Sequence, residues 1–168
     1  MSSIYVRCSG CDFSGIIQRR PINLEYVLPS GSLVAGYRVN AWCTSCENIT
    51  DAEVVFDAIQ IQAEIDSLRR QQGGLFRRFL DPEKTKALDS QLQRLSEKLQ
   101  LSKIRQSRPR CLRCQEITIS PVNFDENGIS SVVHECGRKL YKVSDDPNAP
   151  RFMYKPVTIR LDPEGRRL

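Results

Sequence analysis

A single histidine in 168 residues is the most restrictive scarcity in this sequence. It leaves almost no room for imidazole acid–base chemistry or for a Ser-His-Asp or Cys-His nucleophile. Long apolar runs are missing too, since nothing approaches the roughly 20 residues a helix needs to cross a bilayer. The opening MSSIYVRCSG lacks the apolar stretch of a secretory signal and already contains Cys8. The expectation is a cytoplasmic protein with no membrane partner. Phosphate-cradling loops are absent as well: Gly73-Gly74 has neither a downstream Lys-Ser/Thr nor a preceding strand. There is no polybasic tail. The net charge of +5 sits mostly in the middle third and falls short of what a dedicated nucleic-acid binder carries.

Cysteine is what the chain has. Seven are present, an odd number that leaves one thiol over in any pure disulfide framework. In a reducing compartment, paired cysteines more often hold metal. They fall as Cys8-x-x-Cys11, Cys43-x-x-Cys46 and Cys111-x-x-Cys114, and the only histidine completes a fourth pair, His134-x-Cys136. A C-x-x-C turn lets two thiolates converge on one ion, and a structural zinc takes four such ligands in a tetrahedron. Eight ligands therefore make two full shells, and two Zn2+ per chain are expected. Four half-sites can be joined in three ways. Pairing between sequence neighbours is the expectation, with a mixed site of Cys43, Cys46, Cys111 and Cys114 as its main competitor.

On these knuckles the flanks of the chain resemble zinc ribbons, small β modules in which two knuckles on separate hairpins grip one zinc. The resemblance implies a four-cysteine module over residues 1–50. It also implies a three-cysteine, one-histidine module over 109–168, in which H-x-C-G stands where the family has C-x-x-C-G. Short apolar stretches fit strands there: Gly15-Ile16-Ile17, Leu33–Val39, Glu116–Ile119, Ser131–Val133, Leu140–Val143 and Val157–Leu161, with Asn127-Gly128 as a turn. Modules with so few apolar residues need a metal to fold.

The middle reads as helical. Thr50-Asp51-Ala52-Glu53 has the pattern of a capping box. From there Val54, Ala58, Ile61, Ile65 and Leu68 recur at heptad steps, until Gly73-Gly74 stops them. Asp81-Pro82 starts a second run with Leu88, Leu92, Leu95 and Leu99, ended by Arg108-Pro109. Two helices of roughly 22–25 residues would make an antiparallel coiled-coil hairpin about 33–38 Å long over residues 51–108. The expected fold is thus α+β, two zinc-ribbon-like β modules joined by a long antiparallel helical hairpin.

Closed cysteine-rich shells leave no position for activated water, and neither H-E-x-x-H nor the deaminase order of H-x-E before P-C-x-x-C is present. The function expected from sequence is therefore a non-enzymatic zinc-binding adaptor. Its partner surface is the hairpin tip, where Arg69, Arg70, Phe76, Arg77, Arg78 and Phe79 combine the cations and aromatics that anchor protein interfaces. Arg69 and Arg70 would also serve simply as the cationic last turn of a helix. Self-association through the apolar seam is a further expectation. The alternative is a nucleic-acid-binding zinc-ribbon factor, with Lys103, Arg105, Arg108, Arg110 and Arg113, joined by Arg19 and Arg20, as its basic surface.

Overall fold

The computed structural model describes residues 3–17, 20–72, 82–143 and 155–168. Nine strands and two helices are named among them: β1 (Ile4–Cys8), β2 (Ser14–Ile17), β3 (Ile22–Val27), β4 (Leu33–Cys43), β5 (Asn48–Val54), α1 (Ala58–Gln72), α2 (Pro82–Ile104), β6 (Ile119–Pro121), β7 (Ile129–Val133), β8 (Lys139–Val143) and β9 (Val157–Leu161). The α+β class holds, but the long coiled-coil hairpin does not form. The helices are 15 and 23 residues long, and the nine named strands form two sheets.

The correction falls on residues 48–57. Thr50 and Glu53 are not a helix cap; they lie in β5, which pairs with β4 from Tyr37↔Val54 to Cys43↔Asn48. A capping box and a strand can share one tetrapeptide, and here seven cross-strand pairs decide for the strand. The actual N-cap is Asp57, whose Oδ1 accepts the backbone N–H of Ile59 at 2.8 Å and of Gln60 at 3.3 Å. The expected heptad seam is consequently short. Ile61, Ile65 and Leu68 of α1 bury against Leu95 of α2, with Leu88, Leu92, Leu99 and Phe56 partly covered around them. Val54 belongs to the sheet.

The first sheet has the order β2-β1-β8-β7, and the second runs β5-β4-β3-β9 with β6 against β4. Each takes strands from both ends of the chain. In the first, β1 lies antiparallel to β8, with Cys8 opposite Leu140. In the second, β9 adds parallel to β3, so the C-terminal strand docks beside residues 22–26. Alternation along β1 sends Val6 and Cys8 inward and Tyr5 and Arg7 outward. Val6, Ile17, Trp42, Ile49, Val122 and Leu140 form one core, while Leu24, Tyr26, Leu28, Val34, Ile159 and Leu161 form another with Leu101 of α2 and Leu112.

A buried ion pair fixes α2 to β5. Arg105 and Glu53 are almost fully covered and joined through both guanidinium nitrogens, with Nη1 to Oε2 at 2.9 Å. Tyr26 Oη donates to Glu53 Oε2 at 2.5 Å, and the backbone N–H of Arg110 donates to Oε1 at 2.9 Å. The guanidinium also donates to the carbonyls of Ser107 and Arg108. Burial, with the Glu53 carboxylate beside it, pushes the Tyr26 hydroxyl well above its ordinary range, which keeps it a donor. Gly165 closes the site at φ 77°, where a Cβ would overlap Glu53 Oε1 and Arg105 Nη2. No helix among the described residues is long and apolar enough to cross a membrane.

Candidate metal centres

The sheets decide which half-sites meet. Cys43 ends β4, and Cys46 lies in the turn to β5. The segment entering the Cys111-x-x-Cys114 knuckle is hydrogen-bonded along β5: Glu53 N–H to Arg110 O at 3.1 Å and Leu112 N–H to Asp51 O at 2.8 Å. After Cys114 the chain returns as β6, placing Ile119 opposite Cys43. Both knuckles therefore arrive at one end of β4. Cys43 Sγ lies 3.5 Å from Cys114 Sγ, and Cys46 Sγ lies 3.9 Å from Cys111 Sγ.

The other two half-sites meet through the first sheet. The β1–β2 hairpin carries Cys8 and Cys11, and the β7–β8 hairpin carries His134 and Cys136. The β1–β8 pairing brings the two hairpin tips side by side, with His134 N–H donating to Arg138 O at 2.7 Å and Ser9 N–H to Lys139 O at 3.2 Å. Cys8 Sγ is 3.3 Å from Cys136 Sγ, and His134 Nδ1 lies 3.5 Å from Cys11 Sγ and 3.4 Å from Cys136 Sγ. The ring is seated between Phe13 and Trp42, with centroids 4.9 and 5.0 Å away. That packing points Nδ1 at the sulfurs. Because Trp42 precedes Cys43, the same strand touches both centres.

The eight residues singled out in the sequence thus gather as Cys8, Cys11, His134, Cys136 and as Cys43, Cys46, Cys111, Cys114, with the donor atoms of each group within 4.8 Å of one another. Pairing between sequence neighbours is overturned. The expectation failed because it weighed distance along the chain, whereas the strand order β2-β1-β8-β7 joins its two ends.

Both groups fit a tetrahedral ion. With metal–sulfur bonds of about 2.3 Å and metal–nitrogen bonds of about 2.0 Å, tetrahedral ligands sit roughly 3.5–3.8 Å apart. The closest donor separations, 3.3–3.9 Å, match that spacing, and every pair within a group lies within 4.8 Å. Backbone donors face the sulfurs, with Gly10 N–H 3.5 Å from Cys8 Sγ and Arg113 N–H 3.4 Å from Cys111 Sγ. In three knuckles the residue after the second ligand is left-handed: Glu47 at φ 48°, Gln115 at φ 69° and Gly137 at φ 80°. This turn sends the chain back from the ion.

The thiols are not equivalent. Burial opposes ionisation of Cys111, but hydrogen bonds from the Thr50 hydroxyl, 3.2 Å away, and from the N–H groups of Cys114 and Arg113 outweigh it and lower the thiol to about 7. Burial and the neighbouring cysteines push Cys46 well up. A set with one thiolate already favoured at neutral pH can capture a cation first and let it ionise the rest. Thr50→Val removes the hydroxyl and keeps the shape. We expect about tenfold weaker metal affinity at the Cys43 centre and unchanged affinity at the other, measured by competition with a chromophoric chelator.

The tentative partner residues stand differently. Arg69 and Arg70 are exposed in the last turn of α1. Phe76, Arg77, Arg78 and Phe79 lie outside the described residues. Of the basic surface expected beyond α2, Arg105 is taken by Glu53 and Arg110 is tied to the carbonyls of Glu164 and Gln115, while Lys103, Arg108, Arg113 and Arg20 are exposed and Arg19 lies outside the described residues. Sequence reading missed Thr50 and Trp42 as supports of the ligands. Their positions next to knuckles were the available signal.

Both clusters are compatible with zinc-ribbon-like modules, since knuckles on separate turns converge on one point. No family model matches the chain, and neither the curated proteins nor the solved structures compared with it give a match.

Proposed function

We propose that this chain is a non-enzymatic adaptor whose two metal centres are structural zinc sites and whose helix pair presents a protein-binding surface. The carrying observation is that each centre gathers four protein donors, three or four of them cysteines. Four protein ligands complete a tetrahedron, and thiolate-rich sets favour zinc over the hard cations that prefer oxygen. Such a shell leaves no position for a water or substrate, so the zinc serves to cross-link and not to activate. The cross-links run between residues 65 to 128 positions apart, which suits a rigid platform.

The partner surface is placed at the end of α1. Arg69 and Arg70 are exposed there, and arginine is a preferred anchor of protein interfaces.

Cobalt substitution tests the metal half. Tetrahedral visible bands that do not move on adding azide support closed shells; bands that shift with azide show an exchangeable position and contradict them. Capture of partners from cell extract tests the other half. The zinc-loaded protein should retain a partner that the Arg69→Glu/Arg70→Glu variant loses. Equal recovery by both overturns this placement of the surface.

A further inference from the structure

A broad concavity lies away from the helix pair. It is a cleft of about 1170 Å³ between β1 and β2 of the first sheet and β3, β5 and β9 of the second. Four arginines line it: Arg7, Arg20, Arg113 and Arg167. Among the described residues the only carboxylate in its lining is Asp51, which is already paired with Arg38. Arg7 and Arg113 have no carboxylate partner among the described residues, and Arg167 donates to the neutral carbonyl of Leu112 at 3.1 Å. Like charges gathered in a concavity repel one another and focus a positive potential there.

Its wall also carries an exposed aromatic ring. Tyr5 and Ile16 face each other across β1 and β2, line the cleft and are 37% and 46% exposed. Tyr5 and Arg7 share the outward face of β1, which sets an aromatic ring beside a cation.

We propose that this cleft binds single-stranded nucleic acid, with the arginines on phosphates and Tyr5 stacked on a base. A duplex hides its base faces, whereas a single strand offers both a polyanionic backbone and exposed rings. The cleft also exceeds the roughly 300–1000 Å³ of ordinary small-molecule pockets, as a polymer segment requires. This assignment is independent of the adaptor reading, because it uses neither the helices nor the metal as a contact.

The test titrates fluorescent single-stranded RNA and DNA oligonucleotides, and a duplex, into the zinc-loaded full chain at several salt concentrations. One or both single strands should bind more tightly than the duplex, and the better of the two names the natural class. Arg7→Gln/Arg113→Gln should weaken binding at least tenfold and reduce the slope of log affinity against log salt by about 1.4, the loss of two phosphate contacts. Both arginines neighbour metal ligands, so each variant is first shown to keep its zinc content. Ile16→Glu, remote from either knuckle, places a carboxylate in the cleft and should weaken binding as well; Tyr5→Ala should do so by about fivefold or more. No binding at low salt, equal binding of duplex, or affinity unmoved by Ile16→Glu and by the double variant would overturn the proposal. The zinc centres would be untouched by that failure.

Discussion

Removing the metal is expected to unfold the entire chain and not merely the two knuckle ends. Structural zinc contributes about 10–16 kcal/mol of apparent binding free energy at neutral pH, against a total stability of about 5–15 kcal/mol for a typical domain. A metal at each cluster would also fix topology. One cluster brings Cys8 beside Cys136 and the other Cys43 beside Cys114, so an ion in each would hold strands from distant parts of the chain in register. One of the cores is small, with Val6, Trp42 and Leu140 among its seven buried residues. Chelation, or Cys43→Ala at a fully buried ligand, should abolish both the cooperative unfolding transition and the near-ultraviolet dichroism of Trp42, which packs on His134. A chelated protein that keeps a native near-ultraviolet spectrum would show that the sheets stand without metal.

The second large effect belongs to Glu53 and Arg105. Each is buried, and each satisfies the other while holding a third group: Tyr26 and Arg110 on the carboxylate, the Ser107 and Arg108 carbonyls on the guanidinium. Removing one partner strands a charge in the interior and costs about 3–5 kcal/mol. Glu53→Gln keeps the volume and loses the charge, so it isolates the electrostatic part. Arg105→Met keeps the apolar stem and leaves a bare carboxylate. The double variant removes both charges and should be no less stable than either single one, a coupling that urea titrations of the zinc-loaded protein will measure. Strictly additive losses would mean that the two side chains contribute separately.

What the sequence reveals and what it hides follow from how far each constraint reaches. The eight ligands are legible because a thiolate pair must be two residues apart to meet one ion, and that spacing is written locally. Strands such as β2, β7, β8 and β9 are legible for the same reason, each bounded by turn residues. Partner choice is not local. Nothing in Cys8-x-x-Cys11 says that its complement lies at His134-x-Cys136; that depends on β1 lying beside β8, across most of the chain.

The helices illustrate the same limit. Val54, Ala58 and Ile61 fit a heptad by spacing alone, and Thr50 to Glu53 fits a cap. Only the pairing with β4 makes those residues a strand. The decisive detail was Glu53, which reads as a helix-start carboxylate until Arg105, 52 residues later, takes it inside. Arg105 in turn reads as part of a basic surface, since an ion pair at that separation has no signature in composition. Leu101 escaped notice because it falls off the heptad step, yet it is among the most buried residues: there α2 leaves its partner helix and meets the second sheet.

The crossed pairing of half-sites is the central claim about both metal centres, and cadmium NMR reads it directly. With 113Cd in place of the native metal, two resonances should appear. One should have the shift of four sulfurs and couple to the β-protons of Cys43, Cys46, Cys111 and Cys114. The other should have the shift of three sulfurs and one nitrogen and couple to Cys8, Cys11, Cys136 and the His134 ring. A single cadmium coupled to Cys8 and Cys11 together with Cys43 and Cys46 would contradict the account.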